Sequence, residues 1–402
     1  MAVTRAQVAH GKATLFLLNS PQKKKVQKSK PKPPKAETGP ELNKKNGKIV
    51  RTGRQAIPIR PNTGLPKRRF PPVGSPTSKG LINTSNDCYK LAALQALFHT
   101  PAFYRYLGKI HKDCASQLSR CVLCATQDLL YQYWEEDDPK VRRARLNTFY
   151  AATKVKANLP TLAPDLGGNF VNNQQADSYD FLHYLVSEHI EPKDPVGFRR
   201  IFQMEFESTR TCRTCRTESV REFAQASFIL QLPVNNPMGA RSIWLHQCLR
   251  DFLGDGVQAW NCEEEGCDGP DRNVTTLLTH ASEILVLRLA ISTNAGQGGN
   301  NTKISANQTE VIYPEMLNLN QYVDHHQVRE DCVYRLDGVV AHSGRNTNSG
   351  HYVAMVREYN NLRDFALIND EDVTTAMDWA DMLRPTLRGK RIESYVLVYS
   401  KM

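Results

Sequence analysis

Cys88 stands where a polar stretch, Asn83-Thr-Ser-Asn-Asp, gives way to an apolar run with Leu91, Leu94, Leu97 and Phe98 at helical spacing. Far downstream, Tyr334 to Val340 reads as a strand and leads to His342 and then to Gly350-His351-Tyr352. A free thiol, with a pKa of about 8.5, is mostly protonated at neutral pH, and the N-terminus of a helix favours its thiolate. A thiolate nucleophile also needs an imidazole that takes up the proton and returns it to the leaving group. That imidazole needs an acceptor to fix its tautomer, and the segment Leu367-Ile-Asn369-Asp370 follows at a hairpin's interval. Asn83 and Asn86, just ahead of the thiol, are placed to donate to an oxyanion, a role worth about 3 kcal/mol per donor. The residue types and their order point to thiol-dependent acyl transfer.

The pattern Asn83-x-x-Asn86-x-Cys88-Tyr89-x-x-Ala92-x-Leu94-Gln95 resembles the cysteine box of the ubiquitin-specific proteases. Tyr334 to Tyr352, followed by Asn369-Asp370, resembles their histidine box. Three intervening stretches are similar too: Gln175 to Phe181, Thr211 to Cys215 and Ile312 to Leu319. The likeness runs in the family's order over roughly residues 80 to 400. It implies an α+β, papain-like fold with a helical thumb, a β-rich palm and zinc-bearing β fingers near residues 200–290. It implies hydrolysis of the bond after the C-terminal glycine of ubiquitin, with ubiquitin and ubiquitinated proteins as partners. Cys88 is then the nucleophile, His351 the base, Asn369 the residue orienting it, Asn83 an oxyanion donor and Asp370 a helper. His342 is the rival imidazole, and it is placed with Tyr352 on the substrate-binding surface. Asp177 and Asp180, three apart on an expected helix, match an acidic pair that would grip the arginine-rich tail of ubiquitin.

The chain departs from the family pattern beside the nucleophile, with Asp87 for the usual Thr, Ser85 for Gly and Leu91 for Asn. A carboxylate next to Cys88 is expected to disfavour the thiolate, so that replacing Asp87 by Thr should speed the enzyme. The departures leave open a catalytically weak or inactive ubiquitin-binding scaffold of the same fold. A protease for another ubiquitin-like modifier is a further alternative.

Two sets of residues have metal-ligand spacing. Cys212-x-x-Cys215 and Cys262-x4-Cys267 supply four thiolates, enough for a closed tetrahedral zinc site. His111, Cys114, Cys121 and Cys124 supply an imidazole and three thiols, resembling an additional zinc site of some chromatin-associated family members. One or two structural Zn2+ ions per chain are expected. Cys248 and Cys332 read as small buried apolar residues.

The net charge of +11 is unevenly spread. The first 80 residues carry 19 lysines and arginines against two acids, while the remaining 322 carry 33 against 39. The body is therefore mildly acidic, and the basic balance belongs to the tail. Residues 1–79 lack an apolar period and read as a disordered basic tail, with the catalytic domain spanning 80–402. The tail suggests nuclear targeting or binding to polyanions, and its acid-free start would also suit a mitochondrial presequence. No apolar run approaches the roughly 18 residues of a membrane span. An intracellular protein, nuclear rather than cytoplasmic, with possible chromatin association and no membrane contact is the expectation. Helical periods come early and strands come late: Ile284 to Leu289, Val333 to Val340, Tyr352 to Val356, Phe365 to Ile368 and Tyr395 to Tyr399. A helix is expected over Asp177 to Val186, and a Gly/Asn-rich loop over Ala295 to Thr302.

Overall fold

The computed structural model describes residues 77–402 apart from 84, 110–120, 136–137, 158–174, 227, 232–241, 254–255, 291, 295–300, 304–309, 347–348 and 360–362. Helix α1 (Cys88–Phe98) is buried along its whole length. Its sequence is apolar nearly all round, and such a helix is stable only when enclosed. Around it stand α2 (Pro101–Leu107), α3 (Val122–Glu135), α4 (Pro139–Ala157) and α5 (Ser178–His183), which runs on as a π-helical stretch over Tyr184–Ile190. Helix α6 (Pro195–Phe202) closes this helical half.

The second layer is an eight-stranded sheet. It uses β3 (Phe228–Gln231), β7 (Ile284–Ala290), β11 (Met316–Asn318), β12 (Val333–Asn346), β13 (Ser349–Arg357), β14 (Phe365–Asn369), β15 (Asp372–Met377) and β18 (Glu393–Lys401). Their order is β15-β14-β13-β12-β18-β7-β3, with β11 on the side of β12. All pairs are antiparallel except β3 with β7. Helix α1 packs on β12 and β13, so the nucleophile helix lies directly against the strand carrying His351. Register then does the positioning. Ala354 pairs with Ile368, which brings the end of β14 back alongside the start of β13 and sets Asn369 beside His351.

A separate four-stranded sheet extends from this body in the order β2-β1-β6-β5, from β1 (Met204–Cys212), β2 (Glu218–Gln225), β5 (Gly256–Ala259) and β6 (Asp271–His280). Helix α7 (Leu245–Leu253) packs at its base, where the Leu253 carbonyl accepts from the Thr276 hydroxyl at 2.9 Å. The smaller elements are β4 (Ser242–Trp244) with β10 (Glu310–Ile312), β8 (Ser292–Asn294) with β9 (Asn301–Lys303), α8 (Trp379–Leu383), and the hairpin of β16 (Thr386–Leu387) and β17 (Lys390–Arg391).

All five expected strands lie inside observed ones, each longer than its apolar run. The expected helix from Asp177 is shorter: Asp177 caps α5, and the π-helical stretch begins at Tyr184. Of the expected loop, residues 295–300 lie outside the described residues, while Asn301 and Thr302 belong to β9. The chain is tied down before Gly80. The Ser78 amide donates to the Glu358 carboxylate, and the Lys79 ammonium donates to the Trp134 carbonyl at 3.3 Å. The rest of the basic tail lies outside the described residues.

Candidate active site

Cys88 is the first residue of α1 and is buried. The loop before it is organised by one side chain. Asn83 Oδ1 accepts from the amides of Ser85 (3.1 Å) and Asp87 (3.3 Å), and its Nδ2 donates to Asp370 Oδ2 at 3.3 Å. The Leu81 amide donates to the Asp370 carbonyl at 2.8 Å, so the loop is pinned to the β14–β15 turn by backbone and side chain together. One N–H hydrogen of the Asn83 amide goes to Asp370, and the amide carries a second.

His351 Nε2 lies 2.6 Å from Asn369 Oδ1 and 3.8 Å from Asp370 Oδ2. An amide oxygen only accepts, so Nε2 carries the hydrogen and the other ring nitrogen is left for the thiol. The ring is hydrogen-bonded with the Cys88 thiol; that bond, opposed by desolvation and helped by Asn369, pushes the imidazole up from 6.5 to about 9. Burial pushes the Asp370 carboxyl up, while His351 and Asn83 pull it down. The structure thus brings together Cys88, His351, Asn369, Asn83 and Asp370 from three separate chain segments.

The two remaining departures from the family pattern that lie before Cys88 prove to be one network. The Ser85 hydroxyl donates to Asp87 Oδ2 at 2.7 Å, and Lys90 Nζ donates to Asp87 Oδ1 at 2.8 Å. Asp87 and Lys90 are both buried, and the ammonium lies 4.9 Å from the Tyr150 ring centroid and 5.4 Å from that of Tyr89. Asp87 occupies the N-cap position but makes no side-chain cap bond, because its carboxylate is turned to Lys90. The carboxylate beside the thiol therefore has a buried cationic partner, which sequence reasoning did not supply.

Other expected site residues are placed differently. His342 and Tyr352 pair across β12 and β13, with ring centroids 4.4 Å apart, and both are buried. Both side chains are thus enclosed in the free chain, and strand alternation sets Tyr352 on the opposite face of β13 from His351. Asp177 is also buried. Its carboxylate accepts from the Tyr179 amide (2.8 Å) and the Tyr395 hydroxyl (2.6 Å), and it lies 3.7 Å from Arg288 Nη2. Asp180 lies 4.0 Å from Arg288 Nη1. Arg288 also stacks over the rings of Tyr179 and Tyr395, at 4.8 and 5.5 Å. The acidic pair thus converges on an arginine, and that arginine belongs to this chain.

One site residue received no role from sequence. Gln175 Nε2 donates to the Gly350 carbonyl and lies 3.7 Å from Cys88 Sγ, while its Oε1 accepts from the Gly350 amide at 3.0 Å. The side chain therefore bridges the helical half to the strand carrying His351. Gly350 has φ +133°, and a Cβ there would collide with the Ser343 carbonyl, which explains a glycine next to the base. The signal for Gln175 was only its place at the start of a motif.

At the far end of the fingers, Cys212 and Cys215 meet Cys262 and Cys267. All four sulfurs lie within 4.8 Å of one another, with Sγ–Sγ distances of 3.8 Å for Cys212–Cys267 and 3.7 Å for Cys215–Cys262. A tetrahedron of thiolates at Zn–S of about 2.3 Å has edges of about 3.8 Å, so the donor set fits. A Cβ on Gly269 would lie 2.8 Å from Cys212 Sγ, so the closeness of that turn to the sulfur requires glycine. His111 and Cys114 lie outside the described residues, whereas Cys121 is buried and Cys124 half-buried at the start of α3.

Comparison with known proteins agrees with this geometry. Residues 79–399 match the ubiquitin carboxyl-terminal hydrolase family. The chain belongs to this family. Among curated relatives, a probable ubiquitin carboxyl-terminal hydrolase 16 of Schizosaccharomyces pombe is 24% identical over 71% of this chain and 61% of its own. Ubiquitin carboxyl-terminal hydrolase 17-like protein 13 of Homo sapiens is 25% identical over 82% of this chain and 57% of its own. The chain thus spans about three fifths of the length of these relatives. In fold it is similar to a chain of the SAGA DUB module Ubp8/Sgf11/Sus1/Sgf73 bound to monoubiquitin. That likeness has a TM-score of 0.63 at 20% identity and covers 81% of this chain and 69% of that one. The same module bound to ubiquitin aldehyde gives the same values. The α+β, papain-like fold of the family, with its helical thumb, palm sheet and fingers, is the fold of this chain.

Proposed function

We propose that this protein is a thiol-dependent deubiquitinase that hydrolyses the peptide or isopeptide bond after the C-terminal glycine of ubiquitin. The observation that carries the reading is the alignment of Cys88, His351 and Asn369, with the imidazole hydrogen-bonded to the thiol on one side and to an amide oxygen on the other. In this mechanism the Cys88 thiolate attacks the carbonyl carbon. The oxyanion that forms is met by Asn83 Nδ2 and by the amides at the start of α1. His351, carrying the thiol's proton, gives it to the leaving amine, and a thioester remains on Cys88. The imidazole then takes a proton from water, which attacks the thioester and frees the ubiquitin carboxylate. Asn369 keeps the ring in the tautomer and orientation that both half-reactions need. Asp370 steadies Asn83 and His351 through one carboxylate.

The reading of an inactive scaffold rested on Asp87 and Leu91, and against the first of these stands the buried Asp87–Lys90 pair, which gives that charge a partner. The four finger thiolates fit a structural Zn2+, which would lock the tip of the finger sheet. Ubiquitinated chromatin proteins are proposed as a substrate class on the strength of the solved relatives alone, and nuclear residence on the strength of the basic tail.

The experiment is turnover of a ubiquitin C-terminal fluorogenic amide by wild type, Cys88→Ala, His351→Ala and Asn369→Ala. Wild type should be active, the first two variants at least a thousandfold slower, and Asn369→Ala should lose less because it does no bond chemistry. Turnover retained by Cys88→Ala would refute the assignment. Inactive wild type that still binds ubiquitin would favour the scaffold, and preference for another modifier's amide would favour that substrate.

A further inference from the structure

Protonation of the leaving amine by His351 requires that amine to lie within hydrogen-bonding reach of the ring. The chain that bears it must then leave the site through whatever opening His351 lines. On the thumb side that path is crossed by Gln175, bridged to Gly350 beside the thiol. On the other side His351 and Asn83 form the floor of an open cavity of about 420 Å3. One wall is the turn carrying Glu371 and Asp372, and the other is the β16–β17 hairpin carrying Arg388 and Lys390.

The walls differ in charge and in how free their charges are. Arg384, at the end of α8, and Arg391, on the hairpin, are both held by Glu310, at 3.1 and 3.5 Å. Arg388 and Lys390 make no ion pair among the described residues, and both are exposed. The hairpin is short and stiff. Arg388 and Gly389 both have positive φ, +50° and +73°, as a two-residue turn of the primed type requires. An arginine at such a φ is disfavoured, where asparagine would sit more easily. The acidic wall continues directly from Asn369 and Asp370, so it lies next to the imidazole, and the basic hairpin lines the same cavity.

We propose that this cavity receives the polypeptide segment carrying the ubiquitinated lysine, and that Arg388 and Lys390 select segments with acidic residues flanking that lysine. The proposal rests on the hydrolase reading above. Glu371 and Asp372 attract the amine as it becomes an ammonium, while the two hairpin cations pair with neighbouring carboxylates. Each such pair is partly exposed, so the discrimination is modest, about fivefold to tenfold for two contacts, and is screened by salt.

The test uses ubiquitin joined through its C-terminus to the single lysine of a short peptide, flanked by Asp and Glu or by Arg. kcat/KM for each conjugate is divided by that of the same enzyme on the small fluorogenic amide, so that folding or chemistry defects cancel. Wild type should favour the acidic flank about fivefold to tenfold at low salt, less at high salt. Arg388→Glu/Lys390→Glu should reverse the preference, and Arg388→Asn/Lys390→Gln, which suits the positive φ, should abolish it without reversal. An equal preference in wild type and both variants, or a wild type that favours the basic flank, would overturn the proposal. Amide turnover with no flank preference would overturn this inference alone. Absence of any turnover would overturn the hydrolase reading and this inference with it.

Discussion

His351 carries the clearest electrostatic signature of the site, raised to about 9 chiefly by its hydrogen bond with the Cys88 thiol. A general acid must hold its proton to deliver it, so hydrolysis of an amide should fall as pH rises through about 9. Removing the cause should lower the imidazole toward its ordinary range. An NMR titration of the His351 ring should show that fall in Cys88→Ala, and an unchanged midpoint would mean the thiol does not act on the ring. Asp87 shows what a neighbouring side chain can hide from a reader of sequence. Taken alone, its carboxylate disfavours a thiolate, and Asp87→Thr should help. In the folded chain the same substitution strands the buried Lys90 ammonium, and breaking a buried pair costs roughly 3–5 kcal/mol. Denaturant unfolding should show Asp87→Thr destabilised by about that amount, with Asp87→Thr/Lys90→Leu recovering most of it. A single variant as stable as wild type would mean the pair is not formed.

Among the elements, those that carry a strong local pattern were legible and those defined by partners were not. The five apolar strands of the palm could be read because strands enclosed on both faces are continuous apolar runs. Helix α1 could be read because a polar stretch gives way to an apolar run of helical spacing at Cys88. The finger strands β1, β2 and β6 could not, because one face of that sheet meets solvent and its alternation is broken by Thr and Arg. Helix α4 hides its apolar residues among six lysines and arginines. The meeting of Cys88, His351 and Asn369 was legible because a thiol, an imidazole and an amide at these places have few substitutes for the chemistry they suggest. Arg288 filling the acidic pair, His342 facing inward and Lys90 beneath Asp87 were not, since each depends on tertiary contacts. The fingers carry their own prediction. Metal analysis of purified protein should find zinc, and Cys212→Ser should remove about one equivalent and loosen hydrogen-exchange protection in β1 and β6. Metal-free protein with an equally protected finger sheet would rule out the zinc site.

For the whole molecule, charge is divided between a basic tail and a mildly acidic body, and no described helix is long and apolar enough to cross a membrane. The body is tied from Ser78 onward, so deleting residues 1–75 should leave turnover of a small substrate within about twofold, while the proposed targeting role of the tail predicts a changed cellular distribution. Loss of turnover would show that the tail contributes to the catalytic body, and unchanged distribution would remove its proposed role in targeting. What the whole fold achieves is to bring Cys88, at the head of an enclosed helix, against a strand that presents His351. The most direct measurement of that arrangement is intact-mass and peptide mapping after exposure to ubiquitin bearing a thiol-reactive group at its C-terminus. The chain should gain the mass of one ubiquitin, attached at Cys88 and absent in Cys88→Ala. An adduct on another of the ten cysteines, or none at all on folded protein, would contradict the account.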